Sequence, residues 1–283
     1  MYKWNRKKLL PVGSVLEYDH HGRDVVITGE NGSLRISAPG EHVLRIRTGR
    51  NGRFVDDRSY AVADRKGKIQ PSISETEEDI QISFEGFRLV VMKRPIRITV
   101  YDHEGRLIWN DHPEGGLFWS DSEVQSAHEI EAGAKYFGFG EKTGPLNKLG
   151  KSLKMWATDV PYTRNYDPLY VSIPFSVVLN ENRAHGLFFD DAGLSHFEVG
   201  SKIKDAFIYR AHSGEMDLYL IEGPSVREVL ERFTALVGRM ALPPRWSLGH
   251  HQCRWSYMND EEVRQIAAEF RERDIPTCAI YLG

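Results

Sequence analysis

Cysteine, long hydrophobic runs and an excess of charge of either sign are all scarce in this 283-residue sequence. Cys253 and Cys278 are the only cysteines, too few for a disulfide framework, which indicates a reducing, cytoplasmic location. No apolar run reaches about 18 residues, so no transmembrane helix is expected. The 37 basic and 40 acidic residues leave a net charge of −3, which argues against nucleic acid or an anionic membrane as a partner.

A signal peptide and a zinc site are also not expected. The N-terminus is positive, but only two leucines precede Pro11, so it does not resemble a signal peptide. His250 and His251 lie close to Cys253, but neighbouring residues of a strand point to opposite faces. We therefore expect no zinc site there.

Most of the sequence alternates short apolar runs with turn dipeptides such as Asn31-Gly32 and Asn51-Gly52. In Val43–Arg47 apolar and charged residues alternate, which is typical of a strand with one buried face. Many short strands at this spacing predict a mainly β protein with a large antiparallel β-sandwich. The predicted strands include 15–18, 25–27, 34–36, 43–47, 80–84, 87–91, 96–100, 175–179, 186–189, 206–209 and 216–220.

The C-terminal quarter changes to helical periodicity. Pro224-Ser225 begins a helix whose apolar stripe ends before Gly238, and Asn259 caps a second helix with Glu262 at its third position. Predicted strands at 246–249 and 278–282 flank the second helix, which makes a βαβ unit of a parallel sheet. We predict a sandwich domain at 1–222, a connecting helix and Pro-Pro linker at 223–244, and an incomplete domain at 245–283. One helix cannot cover two parallel strands, so we expect a truncated sequence.

Several segments then occur in a fixed order from about residue 130 onwards. Phe137–Leu146, Met155–Asp159, Asp167–Tyr170 and Ser172–Phe175 are followed by Trp246–Tyr257. In this order they resemble the N-terminal domain and first barrel strand of glycoside hydrolase family 31, the α-glucosidases and α-xylosidases. Residues before 130 fit this family only by their strand pattern.

This resemblance implies a mutarotase-like β-sandwich followed by the first βαβ unit of a (β/α)8 catalytic barrel. It implies a parent α-glucosidase that cleaves α-glucosidic bonds from the nonreducing end with retention and without a cofactor. Retaining enzymes use two carboxylates about 5–5.5 Å apart, and in this family both are aspartates on later barrel strands. Neither position exists in this sequence, so we assign no catalytic residue and expect the chain alone to be inactive. Gly283 stands where the family usually has an aspartate that helps to bind the nonreducing sugar.

One stretch combines carboxylates with flat rings, the groups that bind sugar hydroxyls and stack on sugar C–H faces. We predict substrate-binding roles for Asp159 and Trp156, because the family's sandwich extends this loop over the barrel mouth. The resemblance implies that Asp159 accepts hydrogen bonds from sugar hydroxyls on the acceptor side and that Tyr257, after the first barrel strand, lines the same side. An alternative is that the aromatic rings only pack on a neighbouring domain. The stretch contains Trp156, Asp159, Tyr162, Arg164, Tyr166, Asp167 and Tyr170, of which Asp167 is expected to hold the loop.

Other functions stay open at this point. The chain could be a stand-alone carbohydrate-binding sandwich, or a docking module whose tail pairs with another subunit. It could also be a mutarotase-like epimerase, which needs a paired acid and base; His185 and His196 are available, but the sequence does not place them together. Asp190 and Asp191 are interpreted as solvated turn residues.

The glycine-rich stretch around Lys142 fits neither phosphate-loop template, because its spacing is wrong and no helix follows. We therefore expect no nucleotide, no cofactor and no metal. The expected partner is an α-linked oligosaccharide or glucoside, and a homo-oligomer is compatible with the sequence.

Overall fold

The computed structural model describes residues 9–50, 53–120, 122–160, 166–181, 183–212 and 215–282. Contacts divide the chain into two compact units, one up to Gly238 and one from Arg239 onwards. No helix in these ranges is long and apolar enough to span a membrane.

Antiparallel strands make up most of the first unit. They are β1 (Leu10–Pro11), β2 (Val15–His21), β3 (Asp24–Gly29), β4 (Gly32–Gly40), β5 (Val43–Arg50), β6 (Ser72–Glu75), β7 (Asp79–Ser83), β8 (Phe87–Lys93), β9 (Ile96–Asp102), β10 (Leu107–Trp119), β11 (Val124–Glu129), β12 (Lys135–Gly140), β13 (Lys151–Met155), β14 (Ser172–Asn180), β15 (Arg183–Phe189), β16 (Ser195–Val199), β17 (Ala206–Ala211) and β18 (Asp217–Gly223).

These strands form two large sheets within the described residues. The first sheet has the order β13-β16-β17-β11-β10-β9-β8-β7-β6, with β1 paired to β10; the second has the order β12-β14-β15-β18-β5-β4-β3-β2. Neighbouring strands run antiparallel, including β5 and β18, where Leu44 lies opposite Leu220. The predicted antiparallel sandwich is confirmed.

The main core lies between the two sheets. Leu34 and Ile46 of the second sheet are buried in one cluster with Leu89 and Phe207 of the first. Because side chains alternate along a strand, the arginines of β5 point to the opposite, outer face of the second sheet. The period-two pattern of Val43–Arg47 therefore arises because one face of β5 packs in the core and the other carries arginines on the outer face of the sheet.

Every strand predicted before residue 221 lies on or overlaps a strand of the structure, but β1, β6, β10, β11, β12, β13 and β16 were not predicted. The sequence of β10 includes Pro113, Gly115 and Gly116, and its register against β11 shifts between Asp111 and Gly116. An irregular strand of this kind breaks the strict alternation on which the prediction depends.

Helix α1 (Val226–Val237) covers part of the outer face of the second sheet. Its N-cap is Ser225, whose side chain accepts a hydrogen bond from the Glu228 backbone N–H. Val229 is fully buried, and the rings of Phe175 and Phe233 stack with centroids 3.7 Å apart. The predicted helix start is confirmed, and this packing ties α1, which we predicted as part of a connecting segment, to the sandwich.

Gly86 is a site where a single methyl group should be costly. An added Cβ would lie 1.7 Å from the Glu41 carbonyl oxygen in the β4–β5 turn, so the β7–β8 hairpin or that turn would have to move. We expect Gly86→Ala to lower the free energy of unfolding by about 1–3 kcal/mol or more. Gly40→Ala is the matched control, because no atom lies within 4 Å of its added Cβ. Equal denaturation midpoints for the two variants would contradict this prediction.

The second unit contains a 3-10 helix (Arg245–Leu248), β19 (His251–Cys253), α2 (Asp260–Glu272) and β20 (Ala279–Tyr281). Strands β19 and β20 are parallel, with His251 opposite Ala279. The Glu262 backbone N–H donates to Asn259 Oδ1 at 2.8 Å, which is the predicted cap of α2. The predicted βαβ unit is confirmed.

The predicted strand at 246–249 is wrong, because this segment is the 3-10 helix. Ser247 donates its backbone N–H (3.0 Å) and its hydroxyl (2.7 Å) to the Pro244 carbonyl, and the Gly249 N–H donates to the Trp246 carbonyl at 3.1 Å. These local bonds use backbone groups that a strand would offer to its neighbour. Parallel pairing therefore begins only at His251.

Candidate functional site

The segment between β13 and β14, here called the 156–172 loop, is described at 156–160 and 166–172, and its two ends are held together. The Trp156 backbone N–H donates to Ser172 Oγ at 3.0 Å, and the Thr158 N–H donates to the Leu169 carbonyl at 3.1 Å. Trp156 is 50% exposed although its backbone is fixed. The loop therefore presents an indole ring to solvent at a defined position.

Asp159 lies exposed on the same loop, next to Tyr170. The Tyr170 hydroxyl donates a hydrogen bond to Asp159 Oδ1, and Tyr170 is itself 46% exposed. This bond fixes the orientation of the carboxylate relative to the ring. The result is an exposed carboxylate beside exposed aromatic surface, a combination that suits polyhydroxylated ligands.

Asp167 has the holding role that the sequence indicated. Its carboxylate accepts from Lys142 Nζ at 2.6 Å through Oδ1 and from the Lys154 backbone N–H at 2.6 Å through Oδ2. The side chain of Lys142 is buried, and its ammonium also donates to the Lys154 carbonyl at 2.6 Å. This pair joins the loop to the segment after β12.

A cavity of about 420 Å³ borders the loop. Trp156 and Tyr170 form part of its wall together with Met155, Pro174 and Asp191. The ring of Trp156 and the ring that holds Asp159 thus line one depression. Of the three predicted site residues, Trp156 lines this cavity. Asp159 is connected to it only by its hydrogen bond with Tyr170, which also lines the cavity.

The glycines near Lys142 are explained by close backbone packing. Gly138 and Gly140 have φ values of 109° and 77°. A Cβ on Gly138 would lie 2.7 Å from the Phe175 carbonyl oxygen, and one on Gly140 would lie 2.4 Å from the Val171 carbonyl oxygen. These glycines let β12 approach β14 across an irregular register, a structural role unrelated to phosphate.

Tyr257, the third predicted site residue, lies in the second unit. It follows the carboxyl end of β19, where barrel strands carry functional groups. Its hydroxyl is buried with no hydrogen-bond partner in the part of the chain that the structure describes, and the Arg254 guanidinium lies 5.7 Å from its ring centroid. Trp255 is 99% exposed. Tyr162, Arg164 and Gly283 lie outside the described residues.

The structure answers one question that the sequence left open, about two histidines, and corrects the interpretation of Asp190. His196 lies on the outer face of β16, beside His212, whereas His185 faces the space between the sheets, so these two histidines do not form a pair. Asp190 is not a solvated turn residue, because its side chain is 9% exposed and lies 3.3 Å from the Arg65 guanidinium. Burial raises the pKa of Asp190.

The sequence did not identify a pair of histidines that the fold brings together. His128 of β11 and His185 of β15 both line a cavity between the sheets. They are far apart in sequence and belong to different sheets, so only their positions on inner strand faces could have suggested the pairing.

Comparison with known proteins gives the family. The model of the glycosyl hydrolase 31 N-terminal galactose mutarotase-like domain matches residues 33–198, and that of the glycosyl hydrolases family 31 TIM-barrel domain matches residues 240–283. Alpha-glucosidase 2 from Bacillus thermoamyloliquefaciens is 36% identical over 275 residues, which are 96% of this chain and 35% of that protein. The alpha-glucosidase from Saccharolobus solfataricus is 33% identical over 146 residues, 51% of this chain and 21% of that protein.

A solved structure agrees with these matches. The family 31 dextranase of Flavobacterium johnsoniae, in complex with isomaltotriose, superimposes with a TM-score of 0.89 at 32% identity. The match covers 96% of this chain and 34% of the dextranase. The chain thus spans about a third of the length of the first relatives it matches. With the sandwich and the βαβ unit in the expected order, the chain belongs to glycoside hydrolase family 31.

Proposed function

We propose that this chain is the N-terminal portion of a retaining α-glucosidase that hydrolyses α-glucosidic bonds from the nonreducing end. The 156–172 loop would supply part of its substrate site. The observation that carries the proposal is the exposed Asp159 carboxylate, which accepts a hydrogen bond from Tyr170, a residue that lines one cavity with the exposed ring of Trp156. Related proteins named alpha-glucosidase, and a related dextranase bound to isomaltotriose, support α-linked glucose as the substrate class.

Each group has a distinct part in this proposal. The Asp159 carboxylate accepts hydrogen bonds from adjacent sugar hydroxyls, and the Trp156 ring packs on an apolar sugar face. Tyr257 of the second unit is a further proposed sugar contact. Bond cleavage itself needs a nucleophile and an acid/base carboxylate about 5–5.5 Å apart, and the family supplies both from barrel strands after β20. The 283-residue chain alone is therefore expected to bind sugar weakly and to hydrolyse nothing.

The test uses the full-length protein encoded at this locus, with an aryl α-glucoside as substrate. We expect hydrolysis with retention of the anomeric configuration. Replacing Asp159 by alanine should lower kcat/KM about 10–100-fold, because a hydrogen bond to a charged group contributes about 1.5–3 kcal/mol. The thermal midpoint should stay unchanged, because Asp159 is exposed.

Asp56→Ala is the matched control, because Asp56 is an exposed aspartate paired only with the exposed Arg58 among the ion pairs of the described residues. Its kcat/KM should equal that of the unmodified protein. Full activity of the Asp159 variant would exclude the loop from the site. Absence of α-glucoside hydrolysis by the full-length protein, or turnover by the purified 283-residue chain, would refute the proposed function.

Location and partners complete the proposal. A cytoplasmic location is supported by Cys253 and Cys278, which are both exposed free thiols. The proposed partner is an α-linked oligosaccharide or glucoside, with no role for nucleic acid, membrane, metal or cofactor. A homo-oligomer is compatible with this assignment.

A further inference from the structure

A second cavity lies between the two sheets of the sandwich and has a volume of about 290 Å³. The first sheet contributes Trp109 and His128, and the second contributes Tyr136, Val178 and His185. All five residues lie on β10, β11, β12, β14 or β15, so strands form most of the cavity wall, and connecting segments add Ile130, Glu131, Ala134 and Asp205. The volume is at the lower limit of the roughly 300–1,000 Å³ typical of ligand pockets, which fits a small molecule.

His128 is a buried polar residue of the cavity wall. Its ring lies between Trp109 and Phe207, with centroid distances of 4.1 and 4.5 Å. It is 3% exposed, and its Nδ1 has no hydrogen-bond partner within the described residues. Buried polar groups are usually hydrogen-bonded in folded proteins, so His128 Nδ1 is available to a hydrogen-bonding group that enters the cavity.

His185 stands where this cavity continues into a more polar groove. The groove, of about 460 Å³, shares Leu107, Ile108, Glu131 and His185 with the cavity. Burial lowers the pKa of His185 to about 4 and holds the pKa of His128 well below its usual value. Both imidazoles are therefore neutral near pH 7, and each ring can donate one hydrogen bond and accept another.

The remaining wall groups restrict the chemistry of a ligand. Ile108, Ile130 and Val178 provide apolar surface, whereas Glu129, Glu131 and Asp205 carry carboxylates. Asn110 Nδ2 donates to Glu129 Oε2 at 2.5 Å, which fixes that carboxylate. Three carboxylates repel an anionic ligand. Carboxylates accept hydrogen bonds from hydroxyl groups, and neutral imidazoles both donate to them and accept from them.

We propose that this inter-sheet cavity, lined by His128, His185, Trp109 and Glu129, is a binding site for a neutral monosaccharide in its pyranose form. A pyranose combines a ring of hydroxyls with apolar C–H faces, and the cavity combines hydrogen-bonding groups with apolar and aromatic walls. The site is built entirely from the sandwich and shares no lining residue with the cavity beside the 156–172 loop. It does not depend on α-glucosidase activity, and its occupant could act as an effector or anchor.

The test is a titration of the 283-residue chain, labelled with 15N-histidine, with D-glucose, D-galactose and D-xylose. The imidazole signals are assigned with His128→Asn and His185→Leu variants. We expect at least one sugar to shift the His128 and His185 signals saturably. The expected Kd is about 1–10 mM, because a small polar ligand makes few contacts. Gluconate, an anion of similar size, should produce no shift.

Two variants separate this cavity from the loop. Ala134→Leu fills the cavity, because Ala134 is a buried lining residue, and should weaken binding at least 10-fold. Asp159→Ala should leave the titration unchanged. If Ala134→Leu does not fold, His185→Leu tests binding in the cavity instead, because it removes a hydrogen-bonding group at a partly exposed position. This variant should weaken sugar binding at least fivefold.

Three outcomes would overturn the proposal. The first is no saturable histidine shift with any sugar up to about 100 mM. The second is a shift abolished by Asp159→Ala but retained in the cavity variants, which would assign binding to the loop. The third is stronger binding of gluconate than of the neutral sugars. Hydrolysis by the full-length protein is measured separately, so failure here leaves the proposed function intact.

Discussion

Replacing Asp217 by alanine is expected to lower the free energy of unfolding of the sandwich by about 3–5 kcal/mol. Asp217 lies on the outer face of the second sheet and is buried between two arginines. Arg45 donates to it through Nε and Nη2, both at 2.7 Å, and Arg65 donates to Oδ2. Removing the carboxylate would leave two buried guanidinium groups without their shared partner.

The same cluster fastens an irregular segment of the chain. Arg45 also contacts Asp57 at 2.7 Å, and Arg47 pairs with Glu215 on the same side of the sheet. Burial disfavours the charged form of Arg45, but the hydrogen bonds that Arg45 donates to Asp217 and Asp57 outweigh this effect and raise its pKa above the ordinary value. The segment that includes Asp57 and Arg65 is thus held to β5 and β18 by ion pairs.

Chemical denaturation of the purified chain measures this prediction. The Asp217→Asn variant keeps the volume and should lose less stability than Asp217→Ala. The matched control is Asp56→Ala, which removes an exposed carboxylate and should cost about 0–1 kcal/mol. Equal losses for Asp217→Ala and Asp56→Ala would show that the buried cluster contributes nothing beyond a surface ion pair.

Acidification is expected to destabilise the sandwich through the two cavity histidines. The pKa of His185 is lowered to about 4 in the folded state by burial, against an ordinary value of 6.5. The unfolded chain therefore binds more protons between these values, and stability falls as the pH drops through that window. From pH 7 to pH 4.5 the loss from His185 alone is about 2 kcal/mol. His128 acts in the same direction, because burial also lowers its pKa.

Other charged groups around His185 modify this response. Asp102 raises the pKa of His185 and so opposes the burial effect, and Glu222 lies opposite His185 on β18. Glu222 also accepts from His103, whose pKa it raises. That contact is stabilising below the ordinary pKa of histidine and is lost as the pH rises, so it partly offsets the loss from His128 and His185.

The variant His185→Gln isolates the contribution of His185 to the pH dependence of stability. Unfolding free energies of the unmodified chain and the variant are measured from pH 7 to pH 4.5. We expect the difference between them to shrink by about 2 kcal/mol towards low pH, because glutamine does not titrate. Parallel curves for the two proteins would contradict the lowered pKa of His185 in the folded chain.

The sequence by itself determined the local structure of this protein and its family. Period-two alternation predicted strands such as β5, because a half-buried strand must alternate apolar and polar residues. Ser225 and Asn259 predicted the starts of both helices, because caps act within one turn of the chain. The ordered segments from Phe137 to Tyr257 identified family 31. These signals depend on residues that are close in sequence, so they can be read without knowing how the rest of the chain folds.

Only the tertiary structure decided which distant side chains meet. His128 and His185 share a cavity because the two sheets stack, and Arg45 meets Asp217, 172 residues away, because β5 pairs with β18. The 3-10 helix at Arg245–Leu248 could not be predicted from the sequence, because its apolar residues suit a strand equally well. Strand order in a sandwich is set by packing between segments far apart in the chain, and no local pattern encodes it.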